Sequence, residues 1–218
     1  LKPFAVGNTG TQMAGWFKKE INSLDDMQGL KLRLPGLAGE AMNGIGVSTV
    51  NMAGSEIFTS LQTGALDAAD WVGPYNDLAF GLHQVADYYY TSVWNEPSAV
   101  LEGTINLDAW NALPEDLQDV IREAARAANL AMISEFAYRN AQALKTLVEE
   151  HGVQLRTFPE DVMAALYESS KQAIQRQVES DEESRRVYES YSAFQKVVRP
   201  FTDVGEYAYL KSRDNVGA

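Results

Sequence analysis

A chain of 218 residues with 45% hydrophobic and 22% charged residues has ordinary globular composition, long enough to bury a core as one large domain or two small lobes. Its 18 Lys+Arg against 30 Asp+Glu give a net charge of -12, a negative surface that repels phosphate backbones and argues against nucleic acid as a partner. The lack of cysteine excludes disulfides, thiolate metal sites and thiol nucleophiles, and no apolar run reaches the roughly 18 residues that span a bilayer.

Residues 4–6 read as a strand, Gly7-Asn8-Thr9-Gly10 as a turn, and 11–21 as a helix capped by Thr9 or Thr11. The chain opens inside that strand without a polar lead-in, so a preceding segment carrying any targeting signal is expected. Leu30-Lys31-Leu32-Arg33-Leu34 alternates apolar and polar residues up to Pro35-Gly36, the period of a strand with Arg33 near its C-terminal end. Helices are predicted over 38–45 and 55–63, the second stopped by Gly64, and strands over 48–52 and 66–72, the latter ending at Gly73-Pro74. Two further strands, 87–94 and 98–106, are joined through Asn95-Glu96-Pro97. Leu113-Pro114-Glu115-Asp116 then opens a long helix toward Glu150, with Pro and acids where a first helical turn favours them, and His151-Gly152 ends it. A short strand over 153–157 and a helix from Pro159 past Gln177 lead to a charged helix over 181–197. That last helix carries Val187, Tyr191 and Phe194 at helical spacing and is expected to stop at Arg199-Pro200. Short strands, glycine turns and helices in alternation indicate an α/β fold.

Chemistry is sparse. His83 and His151 are the two imidazoles, one in an aromatic loop and one at a helix end, and neither has a Ser/Asp arrangement beside it. No phosphate-binding glycine loop, HExxH or EF-hand spacing occurs. Arg33 is more informative, because a guanidinium at the C-terminal end of a strand points where open α/β sheets place ligands, and its fork matches a carboxylate. The same spacing also suits a surface Arg paired with an acid. Asp70-Trp71 ends a strand and Gln12 opens the expected helix. Each has a plain structural use, as turn acid, core indole and helix amide, but together they bring oxygen donors suited to a hard cation such as sodium or calcium to loop ends. Glu96 lies between two strands, where a solvated turn Glu is equally natural.

Three segments carry a family resemblance: Leu30-Lys31-Leu32-Arg33-Leu34-Pro35-Gly36, Ser55-Glu56-Ile57-Phe58 and Gly64-Ala65-Leu66-Asp67-Ala68-Ala69-Asp70-Trp71. With them the chain resembles the solute-binding subunits of tripartite ATP-independent periplasmic (TRAP) transporters. Gly7-Asn8-Thr9-Gly10-Thr11-Gln12 and Trp71-Val72-Gly73-Pro74-Tyr75-Asn76-Asp77 place the likeness in the branch that binds 2-oxo acids such as pyruvate and related 2-hydroxy acids. The resemblance implies an α/β, two-lobed periplasmic-binding-protein-like clamshell with long C-terminal helices, of which this chain lacks much of the first lobe. Its segments would be 1–10 as a crossover strand from the first lobe, 11–98 as second lobe, and 99–138 as a return to the first. Residues 139–180 would be second lobe and connecting helix, and 181–218 a C-terminal helix and tail, a possible dimerisation element through which homodimers form.

The resemblance further implies that Arg33 pairs with the ligand carboxylate. A metal ion, sodium or alternatively calcium, would be held by Gln12, by Asp70 where the family often has Glu, and by the backbone oxygen of Trp71. Trp71 also walls the pocket, and Glu96 matches an acidic position near the same site, so that the resemblance puts Gln12, Arg33, Trp71 and Glu96 on the ligand and Gln12, Asp70, Trp71 and Glu96 around the metal. It makes the protein periplasmic, a partner of the TRAP membrane permease, and not an enzyme. The alternatives are a lactate-binding protein using calcium, and an acid/base enzyme using Asp70 and Glu96. A sensory module would need a membrane-anchored continuation, which the polar C-terminal end does not show.

Overall fold

The structure is a computed structural model that describes residues 1–91 and 93–216. In chain order it runs β1 (Lys2–Asn8), β2 (Gly15–Phe17), a 3-10 turn (Leu24–Met27), β3 (Lys31–Arg33), α1 (Gly36–Gly44), β4 (Ser48–Val50), α2 (Gly54–Thr63), β5 (Ala68–Ala69) and α3 (Pro74–Ala79). A 3-10 turn (Leu82–Gln84), β6 (Tyr88–Tyr90), β7 (Val100–Ile105), α4 (Leu107–Asn111), α5 (Glu115–Glu149), β8 (Gln154–Arg156) and α6 (Glu160–Ser180) follow. The chain ends in α7 (Glu182–Thr202), a π turn (Asp203–Tyr207) and α8 (Ala208–Val216). These elements divide into two units, Leu1–Ser170 and Lys171–Ala218.

In the first unit a mixed six-stranded sheet has the order β4-β3-β5-β2-β6-β8. Strand β3 is parallel to both β4 and β5, while β2 is antiparallel to β5 and β6. Strands β1 and β7 form a separate antiparallel ribbon, paired from Lys2↔Ile105 to Asn8↔Val100 with an irregularity between Ala5 and Gly7. The α/β class expected from the sequence is what forms. Because successive strand residues point to opposite faces, β2 feeds two cores. Trp16 packs with Ile57, Leu61, Leu66 and Tyr89, and Phe17 with Leu32, Met42, Tyr90 and Phe158. Most of the apolar surface of α5 is exposed; among its described residues Ala125, Ala143 and Leu147 are the buried ones.

Three expectations need correction. The helix over 11–21 does not form, and β2 occupies its middle. Consecutive Trp16 and Phe17 are both fully buried, which a helix cannot arrange on one face but a central strand requires. Gly15 is part of the reason: it sits at φ +116°, and a Cβ there would lie 2.8 Å from the Ala69 carbonyl oxygen. The strands expected over 66–72 and 87–94 are confined to Ala68–Ala69 and Tyr88–Tyr90, and Ser92 of the second range lies outside the described residues. Pro200 does not stop the C-terminal helix, which runs to Thr202 with Pro inside it. Proline withdraws one donor, the one that would reach the Lys196 carbonyl, yet the helix continues: the Asp203 amide donates to the Arg199 and Pro200 carbonyls, and a π turn follows.

In the second unit α7 is capped by Asp181, whose side chain accepts from the Ser184 amide. Val187, Tyr191, Phe194 and Phe201 of that helix are exposed. Gly217 and Ala218 of the expected tail lie outside the described residues. Among the described residues no helix is long and apolar enough to cross a membrane.

Candidate functional site

Strand β3 buries Leu32 on one face, so its neighbour Arg33 emerges on the other, half-buried at the strand's C-terminal end. The guanidinium is fixed by carbonyls. Nη1 donates to the Asp70 carbonyl at 2.9 Å, Nε donates to the Met52 carbonyl at 3.4 Å, and Cζ lies 5.5 Å from the Trp71 ring centroid. Among the described residues Arg33 has no ion-pair partner, which sets aside the reading of a surface Arg bridged to an acid. Burial pulls its pKa down, opposed by the nearby Asp70. This is a cation desolvated without an anion in contact, a state that an added carboxylate relieves.

Asp70 follows directly from β5, and its amide donates to the Arg33 carbonyl at 3.1 Å, so the two residues hold one another through their backbones. The Asp70 carboxyl is buried, at 8% exposure, and receives no hydrogen bond from a described residue. Burial pushes its pKa up to about 7; Arg33 opposes that shift, and Asp77 and Glu96 add to it. Next to it the Trp71 indole leans on Phe80, with ring centroids 4.9 Å apart. Its other neighbour is Gly54 at the start of α2, where a Cβ would stand 2.4 Å from Trp71 Cη2. Among the described residues the buried indole Nε1 has no partner, and the Trp71 carbonyl accepts no hydrogen bond.

Gln12 arrives from the turn after β1. The Met13 amide donates to the Val72 carbonyl at 3.3 Å and Gly15 passes against Asp70, which lays this turn beside residues 70–72. Gln12 is buried; its Nε2 donates to Thr9 Oγ1 at 3.1 Å, while Oε1 accepts from no described residue. The Gln12 backbone N–H donates to the Pro97 carbonyl at 3.2 Å, and Thr9 and Ala99 bond reciprocally, tying down the loop that carries Glu96. Glu96 itself is exposed, though its charge bears on Asp70. Arg33, Asp70, Trp71 and Gln12 are thus brought together, with Glu96 on the solvent side.

One residue to which the sequence analysis gives no role belongs here. Asp77, in α3, is buried and takes four donors. Trp16 Nε1 at 2.9 Å and the Tyr89 hydroxyl at 2.6 Å reach Oδ2, while the Val72 and Gly73 amides at 3.2 and 3.0 Å reach Oδ1. Burial pushes its pKa up to about 6 against those four hydrogen bonds, and Tyr89 is driven well above its ordinary value by burial and by Asp77. An acid in the first turn of a helix opened by Gly73-Pro74 was the available signal, since such acids reach back to the free amides. His83 and His151 meet each other, with ring centroids 4.1 Å apart.

Chemically, the site offers one cation and, among the described residues, one carboxylate and two neutral oxygens without hydrogen-bond partners, Asp70, Gln12 Oε1 and the Trp71 carbonyl. These hard donors fit an alkali or alkaline-earth ion rather than zinc. Among the described residues no group of three or more His, Asp or Glu gathers as a transition-metal site would need. An acid/base pair of Asp70 and Glu96 is poorly served, because one is buried and the other exposed.

Residues 3–181 match the family model "Bacterial extracellular solute-binding protein, family 7" (DctP). A monocarboxylate 2-oxoacid-binding periplasmic protein of Nostoc sp. is 40% identical over 206 residues, 94% of this chain and 56% of that protein. The crystal structure of a TRAP periplasmic solute-binding protein from Pseudoalteromonas atlantica with bound sodium and pyruvate aligns with TM-score 0.90 at 40% identity, covering 96% of this chain and 64% of that one. A TRAP solute-binding protein from Colwellia psychrerythraea with bound calcium and pyruvate aligns with TM-score 0.92 at 38% identity and the same coverage. The chain therefore spans 56–64% of the length of these relatives. It belongs to the family 7 bacterial extracellular solute-binding proteins, the DctP family, whose members bind solutes rather than catalyse reactions.

Proposed function

We propose that this protein is the extracytoplasmic, periplasmic solute-binding component of a TRAP transporter. It takes up a small 2-oxo monocarboxylate such as pyruvate together with a sodium or calcium ion and delivers it to the membrane permease. The observation that carries this reading is the juxtaposition of Arg33, held by carbonyls alone, with the unpartnered oxygens of Asp70, Trp71 and Gln12. In it, Arg33 pairs with the ligand carboxylate; at ~4 Å and an effective dielectric of about 20 that contact gains roughly 4 kcal/mol, a large part of the ~8 kcal/mol of micromolar affinity. Gln12, Asp70 and the Trp71 carbonyl hold the cation, which supplies a second positive centre for the 2-oxo oxygen. Trp71 walls the pocket and Glu96 adds negative charge on its solvent side. The relatives solved with pyruvate and sodium or calcium support this ligand class.

The same reading divides the chain into a crossover strand (1–10), second lobe (11–98), return to the first lobe (99–138), second lobe and connecting helix (139–180) and C-terminal dimerisation element (181–218). The separate β1–β7 ribbon supports the two crossings, and the exposed Val187, Tyr191, Phe194 and Phe201 stripe of α7 supports a homodimer. Calorimetric titration with pyruvate, lactate and propionate, with and without calcium, tests the binding role. Pyruvate should bind most tightly and depend on the cation; equal affinity for all three acids would overturn chelation.

A further inference from the structure

The Trp71–Val72 peptide is a rigid plane whose N–H and C=O point in opposite directions. Fixing one end therefore aims the other. Asp77 Oδ1 accepts from the Val72 amide at 3.2 Å and from the Gly73 amide at 3.0 Å, so the Trp71 carbonyl is turned away from Asp77. The carboxylate is itself immobilised, because Trp16 Nε1 and the Tyr89 hydroxyl occupy Oδ2 at 2.9 and 2.6 Å. Those two rings stack at 4.0 Å between centroids in the fully buried core. The anchor thus runs from two core aromatics through one carboxylate to the peptide next to Asp70. A negative charge accepting from the N–H also polarises the peptide, which makes its carbonyl oxygen a stronger donor to a cation.

We propose that Asp77 is the positioning residue of the cation site: held by Trp16 and Tyr89, it orients and polarises the Trp71 carbonyl without touching ligand or ion. The inference rests on the binding role proposed above and adds to it a residue outside the binding set. Partners of this kind, one layer behind a metal ligand, change metal affinity by about 10- to 100-fold when removed.

Calcium affinity is measured by calorimetry at saturating pyruvate for wild type, Asp77→Ala, Asp77→Asn and Tyr89→Phe. Amide hydrogen exchange at Val72 and Gly73 is followed in the cation-free proteins. Asp77→Ala should lose roughly 10- to 100-fold in calcium affinity and the protection of both amides. Asp77→Asn, which keeps one oxygen for the amides, should recover part of both. Tyr89→Phe removes one of the two bonds that immobilise Oδ2 but leaves Oδ1 and its two amides in place, so it should lose less calcium affinity than Asp77→Ala and keep the protection of both amides. Calcium binding by Asp77→Ala equal to wild type, even with a lowered melting temperature, overturns the inference while leaving the binding role standing. Unprotected Val72 and Gly73 amides in the wild type also overturn it, and that measurement needs no variant to fold. Wild type that binds no calcium or sodium beside pyruvate overturns the cation site itself.

Discussion

Replacing Asp70 with Asn removes a buried charge that receives no hydrogen bond from a described residue. The carboxyl is raised from 3.8 to about 7, chiefly by burial, against the opposing pull of Arg33. A raised acid binds its proton more tightly in the folded than in the unfolded chain. Its contribution to stability is therefore complete below pH ~4 and is lost as pH climbs toward 7. At about 1.36 kcal/mol per pH unit, the interval corresponds to roughly 4 kcal/mol of destabilisation when Asp70 is ionised. The neutral Asn avoids that penalty, so cation-free Asp70→Asn should exceed wild type in stability at pH 8 by up to ~4 kcal/mol, or about 10 °C in melting temperature for a chain of this size. At pH 4 the two should coincide. Saturating calcium should reverse the order at pH 8, because only wild type gains the linkage stabilisation of a bound ion. Thermal melts by circular dichroism with chelator and with calcium decide the matter. A stability difference that does not change between pH 4 and pH 8, or a variant weaker than wild type at pH 8 without cation, would refute the burial argument.

Calcium should compete with the proton on Asp70, so its apparent affinity should fall about tenfold for each pH unit below 7; titrations at pH 5.5 and 7.5 check this. Arg33→Ala should weaken pyruvate binding by at least about 100-fold, since a buried carboxylate is left unpaired at roughly 3 kcal/mol or more; calorimetry reads it, with retained tight binding as the contrary result. Gly15→Ala forces a Cβ to 2.8 Å from the Ala69 carbonyl oxygen at φ +116° and should lower stability by about 2 kcal/mol or more in denaturant melts. Phe194→Glu should place a charge in the exposed stripe of α7 and shift sedimentation toward the monomer if that face joins two copies.

What the sequence disclosed followed local rules. Strict alternation at Leu30 to Leu34 located β3 and put Arg33 at its end, and Gly64, at φ +80°, capped α2 as expected. Glycine and proline at 73–74 marked the turn that carries Asp70 and Trp71. Non-local effects overrode those rules elsewhere. Residues around Trp16 suited a helix by spacing, but pairing to β5 and β6 on both edges made them a central strand. Asp77 was illegible for the same reason. Its partners Trp16 and Tyr89 stand 61 and 12 residues away, so no motif connects them until the sheet brings both rings over α3. Pro200 looked like a stop because it withdraws one helical donor, but that single loss does not end the helix, which continues to Thr202.

The central claim is that Arg33 and one set of oxygens from Gln12, Asp70 and Trp71 share a single ligand. A crystal structure of the protein grown with pyruvate and calcium addresses it most directly. The ligand carboxylate should lie within about 3 Å of the Arg33 guanidinium, with calcium at about 2.4 Å from an Asp70 carboxylate oxygen and the Trp71 carbonyl. Pyruvate seated elsewhere, with Arg33 still bonded only to the Asp70 and Met52 carbonyls, would contradict it.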